Sequence, residues 1–187
     1  MNEELDMMID MAKESMEKAL VHLHDELIKI RTGKASPAIL NGLKVDYYGT
    51  PTLLTQVANI GTSDARTITI QPWEKKILAS IERSIFEANL GITPQNDGEI
   101  IRLMIPPLTE DRRKDLVKQA KHLGEEAKVS TRNARRDVME EIKKAIKNGF
   151  SEDLGKKKEQ KVQELTDQFS KKIETQIESK EKDIMTL

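Results

Sequence analysis

Arg132, Arg135 and Arg136 stand close together in the run Arg132-Asn133-Ala134-Arg135-Arg136. Planar guanidinium forks grouped in this way suit bidentate contact with phosphate oxygens, which the point charge of an ammonium does not match. On an α-helix, measured from Ala134, Lys114, Lys118, Lys121, Lys128, Arg132, Arg135, Arg136 and Lys143 all fall about 100 to 200° round the axis. Asp111, Asp115, Glu126 and Asp137 lie mostly on the opposite flank. From Arg112 to Arg136 nine Lys or Arg stand against three acidic residues, so one helix edge is strongly basic although the whole chain has a net charge of −1. Attraction to a polyanion must therefore be local rather than overall. The ordinary alternative for such an edge is a solvated face carrying i to i+4 ion pairs.

A second place suited to phosphate is Arg31-Thr32-Gly33-Lys34, where two cations flank a glycine whose bare backbone can come close to an anion. Its competing reading is a solvated hinge. With one Trp, two Tyr and three Phe, the chain has few rings on which bases could stack. Backbone or shape recognition of structured RNA fits better than the reading of single strands. Tyr47-Tyr48 reads as half core rather than as a base platform.

Other chemistry is not in evidence. The sequence has no GxxxxGK[ST], GxGxxG, GxSxG or HExxH pattern and no cysteine, and no acidic pair is set apart as general acid and base. His22 and His24 point to different sides of a helix and His122 is isolated, which is not a metal-ligand spacing. Neither enzyme activity nor a cofactor or metal is expected.

The basic edge needs a long helix to carry it. Leu116, Ala120, Leu123, Ala127, Ala134, Val138, Ile142 and Ala145 form one apolar stripe between Thr109 and Asn148. Pro106 and Pro107 precede it, Thr109 can cap it, and Asn148-Gly149 with Lys144 and Lys147 ends it. Such a helix is about 60 Å long, too long for a compact globule. Residues 3–31 carry a second seam, Leu5, Ile9, Ala12, Met16, Ala19, Leu23, Leu27 and Ile30. A third, Val162, Leu165, Phe169, Ile173, Ile177 and Ile184, follows the cap Ser151-Glu152-Asp153. Three single stripes, the last two joined by a short Asn-Gly-Phe turn, predict a three-helix bundle whose seams are core.

Between the first two helices the period changes. Residues 43–48, 57–60, 66–70 and 99–104 read as strands, Trp73 to Asn89 as a helix, and Gly49-Thr50-Pro51 as a turn. The class is α+β. The expected division is residues 1–31 plus 106–187 for the bundle and 32–105 for the inserted domain. Two crossings, near 31–37 and 104–107, would act together as a hinge, with Thr32, Ser36, Pro37, Pro106 and Pro107 as its residues. The acidic N-terminus MNEELDMMID has neither a transit nor a secretory pattern, and no run is long and apolar enough to span a membrane. The expectation is a cytoplasmic protein.

Four motifs in register carry a resemblance. Ile30-Arg31-Thr32-Gly33-Lys34-Ala35-Ser36-Pro37, Tyr47-Tyr48-Gly49-Thr50-Pro51-Thr52, Pro106-Pro107-Leu108-Thr109-Glu110-Asp111-Arg112-Arg113-Lys114-Asp115-Leu116 and Arg132-Asn133-Ala134-Arg135-Arg136-Asp137 resemble the bacterial ribosome recycling factors, over the whole chain. The resemblance implies an elongated antiparallel three-helix bundle with a small inserted β/α/β domain, L-shaped and tRNA-like. It implies a monomer without a cofactor that binds the post-termination ribosome across the A and P sites. With elongation factor G and GTP, which the partner hydrolyses, such a factor splits the ribosome into subunits. The bundle would lie on large-subunit ribosomal RNA through Arg132, Arg135 and Arg136, with Lys121 and Lys128 on the same edge. Arg31, Gly33 and Lys34 would lie at the bundle end beside this cluster. Arg112 and Arg113 would contact RNA or serve as ion pairs within the bundle. At Lys34 the family more often has arginine, so charge is kept there and fork geometry lost. The alternative is a coiled-coil adaptor or chaperone-like module, which requires seam positions exposed to a protein partner.

Overall fold

The computed structural model describes residues 2–186, so positions 1 and 187 of the expected bundle lie outside the described residues. In chain order the elements are α1 (Asn2–Lys29), β1 (Lys44–Tyr47), β2 (Thr50–Leu53), the single turn α2 (Leu54–Val57), β3 (Ala58–Asp64), β4 (Thr67–Pro72), α3 (Leu78–Glu87), β5 (Pro94–Asn96), β6 (Ile101–Met104), α4 (Glu110–Lys147) and α5 (Glu152–Met185). They form two compact units. One holds α1, α4 and α5, and the other is Thr32–Thr109.

Each bundle helix buries the stripe that its apolar spacing dictates. Leu5, Ile9 and Ala12 of α1 pack with Val138, Ile142 and Ala145 of α4 and with Val162 of α5, so the N-terminal end of α1 lies at the C-terminal end of α4 and the two run antiparallel. Burying a Leu or Ile side chain of this kind contributes about 1.5–3 kcal/mol. Acidic first turns, Glu110 and Asp111 in α4 and Glu152 and Asp153 in α5, complement the helix dipoles. Ser151 Oγ accepts from Leu154 N at 3.5 Å and caps α5. Gly149 takes φ 96° between α4 and α5, and Phe150 N donates to Ala145 O at 3.0 Å, which turns the chain back on itself.

The α4 stripe differs in detail from its expected membership. Leu123 and Ala134 are half-buried, whereas Gly124 and Thr131 are fully buried. The cause is close approach of α5: a Cβ on Gly124 would fall 2.6 Å from Ile177 Cδ1. Thr131 is admitted because its hydroxyl donates to Ala127 O at 3.0 Å. The relationship is reciprocal at the other end of the pair, where a Cβ on Gly155 of α5 would fall 2.5 Å from Ile146 Cδ1 of α4. In α5 likewise, Leu165 is half-buried and Thr166 buried, its hydroxyl donating to Val162 O at 2.8 Å.

The second unit has a two-stranded ribbon, β1 with β2, and a four-stranded antiparallel sheet in the order β3-β4-β6-β5. Its core includes Val45, Leu54, Ile68, Ile70, Ile81, Ile85, Ile101 and Leu103. The turn expected at Gly49-Thr50-Pro51 lies one step earlier. Tyr48 and Gly49 have φ 49° and 86°, both left-handed as a two-residue hairpin with inverted twist requires, and Thr50 and Pro51 belong to β2. Strands β2 and β5 are additions to the expected set. Of the helix expected over residues 73–89, only Leu78–Glu87 is α-helical, after a 3-10 turn at Lys75–Ile77. Both chain crossings are tied to one place on this unit: Ala35 N donates to Ala65 O and Ile105 N to Arg66 O, each at 2.8 Å. Ser36 and Pro37 sit in regular structure, Ser36 Oγ capping the 3-10 helix Pro37–Leu40.

Candidate nucleic-acid interface

Helix α4 brings Lys121, Lys128, Arg132, Arg135 and Arg136 onto one edge, at heights set by its 1.5 Å rise per residue. The structure adds their partners. Lys121 Nζ lies 2.9 Å from Glu181 of α5, and Lys128 lies 3.2 Å from Glu174 of α5 and 3.7 Å from Glu125. Arg132 lies 3.8 Å from Glu125, and Arg136 3.9 Å from Asp137. The edge is therefore both a basic face and a lattice of surface ion pairs. Such exposed pairs contribute about 0–1 kcal/mol each, so a phosphate can replace a carboxylate at little cost.

Arg135 differs from its neighbours. It is half-buried and forms no ion pair among the described residues, and its buried Nε has no acceptor. A buried donor left unmade costs about 1–3 kcal/mol. With its stem packed, this side chain also has less freedom to lose than a free surface arginine. Nothing local marks Arg135 out in the sequence, because the acids that occupy Lys121 and Lys128 come from a helix some 50 residues further along.

The other expected residues fall elsewhere. Arg113 Nη1 donates to the backbone carbonyl of Met185 at 3.2 Å, so Arg113 binds α5 to α4 and is only partly available to RNA. Arg112 is exposed. Arg31 and Lys34 are exposed on the segment joining the two units, while Gly33 is buried with φ 77°, in the left-handed region that favours glycine. That burial withdraws the Gly33 backbone from the surface where an anion could approach it.

The tyrosines are engaged within the protein. Tyr47 and Tyr48 both donate to Glu74, at 2.9 and 2.6 Å, with their rings edge-on at 4.8 Å. The two bonds, Tyr48 first, hold the Glu74 carboxyl below the usual carboxylate range and push both phenols up. Tyr47 is half-buried, but Tyr48 is 70% exposed, so only one of the pair belongs to the core. His122 lies 3.3 Å from Glu126 in an exposed i, i+4 pair. Among the described residues no group of three or more His, Cys, Asp or Glu is placed to hold a metal ion, and no helix is long and apolar enough to cross a membrane.

Comparison with known proteins gives a consistent result. A family model described as ribosome recycling factor matches residues 23–185. The ribosome-recycling factor of Flavobacterium johnsoniae is 50% identical over 185 residues, covering 99% of each chain, and that of Parabacteroides distasonis is 52% identical over 181 residues, covering 96% of this chain and 97% of the relative. A solution structure of a ribosome recycling factor is similar with a TM-score of 0.75 at 36% identity over 98% of both chains. A second similar chain, with a TM-score of 0.61 at 40% identity over 97% of this chain and 98% of that one, comes from models of the T. thermophilus ribosome recycling factor and E. coli elongation factor G bound to the E. coli post-termination complex.

Proposed function

Because the chain belongs to the ribosome recycling factor family, we propose that it binds the post-termination ribosome across the A and P sites and, with elongation factor G and GTP, splits it into subunits. The ribosome leaves its mRNA and enters a new round of translation. The observation that supports this reading most directly is a relative of 40% identity, similar over nearly the whole chain, in a structure described as a post-termination complex with elongation factor G. The protein acts as a non-catalytic translation factor of the cytoplasm. The GTP is bound and hydrolysed by the partner, and this chain carries no cofactor.

In this reading Arg135 anchors the bundle on large-subunit ribosomal RNA. Arg132, Arg136, Lys121 and Lys128 exchange their carboxylate partners for phosphates as they dock. Compliance lies in the short segments outside the two tethers at Ala65 and Arg66, that is around residues 31–34 and 106–109. Thr32, Pro106 and Pro107 remain hinge residues, whereas Ser36 and Pro37 move with the small unit. The bundle seams are core, with Leu5, Ile9, Met16, Ile142, Val162 and Phe169 all buried, which supports the RNA-bound lever over an adaptor that offers its seam to a protein.

The test is light scattering from post-termination ribosomes mixed with elongation factor G, GTP and either wild type or Arg135→Glu. Scattering should fall with wild type and stay level with the variant. A level trace with wild type, using an elongation factor G from the same organism, would refute the reading.

A further inference from the structure

We propose that the groove between the first turns of α4 and the last turns of α5 seats one unpaired nucleotide of ribosomal RNA, with its base on Val117 and Met185 and its phosphate oxygens on Lys118 and Lys182. The proposal rests on the recycling reading above and adds a subsite to it. The groove is open to solvent along its length and holds about 560 Å³. It lies wholly within the bundle unit.

Two cross-helix contacts fix its ends. At one, Arg113 Nη1 donates to Met185 O at 3.2 Å, and at the other Lys121 Nζ meets Glu181 at 2.9 Å. In the free protein these contacts occupy their cations, as does the 3.0 Å pair of Lys114 with Glu110. Lys118 and Lys182 line the groove and form no ion pair among the described residues. The lining thus combines two ammonium groups outside any ion pair with the apolar side chains of half-buried Val117 and of Met185, which is 51% exposed.

That pairing of surfaces selects the occupant. A simple anion would leave the apolar side chains wet, and a purely apolar ligand would leave the lysines without partners. A nucleotide satisfies both: its base presents a flat polarizable face, against which a flexible thioether adapts well, and its phosphates meet the ammonium groups. Continuity supports RNA as the source. Lys118 and Lys121 lie on the same edge of α4 as Arg132 and Arg135, so RNA held along that edge reaches the groove. The nucleotide must be unpaired beforehand, since drawing a base out of a helix breaks its pairing and stacking.

The experiment measures binding to purified large ribosomal subunits across a salt series and maps the contact by photo-crosslinking from position 185. Lys118→Ala with Lys182→Ala should flatten the plot of log affinity against log salt by about 1.4–1.8. Met185→Ser and, separately, Val117→Ser should weaken binding about 3- to 10-fold at an unchanged slope, since they remove apolar contact and no charge. A photo-crosslinking residue in place of Met185 should give one reverse-transcription stop in large-subunit RNA. Circular dichroism melting of each variant checks that the bundle is folded, and the exposed Met185 site serves where Val117→Ser does not fold. If wild type binds but the serine variants bind equally well, or the crosslink goes to ribosomal protein, the groove proposal alone is overturned. If wild type does not bind, the recycling reading falls and takes the groove with it.

Discussion

Lys158 of α5, whose side chain is 11% exposed, meets the Asp6 carboxylate of α1 at 2.5 Å and so ties the second turns of the two helices together. The bond from Lys158 is the main reason that the Asp6 carboxyl stays below the usual carboxylate range, against a smaller upward push from burial. Because the folded-state pKa is depressed, the stabilisation is complete above the unfolded value of about 3.9 and disappears as pH falls through the folded value. Asp6 is 47% exposed, so solvent screens part of the effect. Asp6→Asn should lower the Tm at pH 7, and between pH 5 and pH 2 it should lose less stability than wild type. Identical Tm-against-pH curves for the two proteins would show that the pair contributes nothing.

Gly124 lies directly under Ile177 where α4 and α5 pack closely. Alanine at position 124 would raise helix propensity by about 1 kcal/mol, but a Cβ only 2.6 Å from Ile177 Cδ1 and 2.7 Å from Cγ1 must displace a buried side chain. Overpacking of this kind costs about 1–3 kcal/mol, so Gly124→Ala should be neutral to destabilising by about 2 kcal/mol rather than stabilising. The double variant Gly124→Ala with Ile177→Ala should be more stable than the sum of the two single effects predicts. Additive urea-melt energies would remove the contact from the account.

Along the basic edge the arginines and lysines should differ in effect. Arg135→Ala should weaken large-subunit binding about tenfold or more, whereas Lys121→Ala, whose cation is already paired with Glu181, should weaken it only a few-fold. Lys34→Ala should also cost less than Arg135→Ala, because no guanidinium fork is lost. Equilibrium binding at two salt concentrations measures all three, and equal losses would contradict the ranking.

Tyr47 and Tyr48 are the only tyrosines in the chain, and each donates to Glu74. The carboxylate disfavours either phenolate, so ultraviolet titration should show both phenols ionising above their ordinary value of about 10. Glu74→Gln should bring both midpoints back towards that value and speed amide exchange in the ribbon of β1 and β2. Unmoved midpoints would mean that the clamp does not form in solution.

What could be seen in the sequence follows from what acts locally. The stripes through Leu116, Ala127, Val138 and Ile142, and through Val162, Phe169 and Ile173, are legible because burial on a helix repeats every 3.6 residues. Strands β2 and β5 were not legible, since Thr50–Leu53 has no fully buried residue and Pro94–Asn96 has three residues, too few to show a period. Tyr48 at the hairpin turn was equally hidden, because a left-handed tyrosine is uncommon. In the candidate interface the arginine cluster could be read directly. Its state of pairing could not, because Glu174 and Glu181 reach it from another helix, and the buried position of Lys158 depends on a residue 152 positions away.

The reciprocal notches, Gly124 under Ile177 and Gly155 under Ile146, sit towards opposite ends of one antiparallel pair and face opposite ways. Sliding α5 along α4 by even one turn, about 5.4 Å, would lift both isoleucines out of their seats together and drive each against a helix surface that bears Cβ atoms. The pair is thus keyed against shear in either direction, like two beams dowelled at both ends. A load applied at one end of the helices reaches the other with little lost to internal slip.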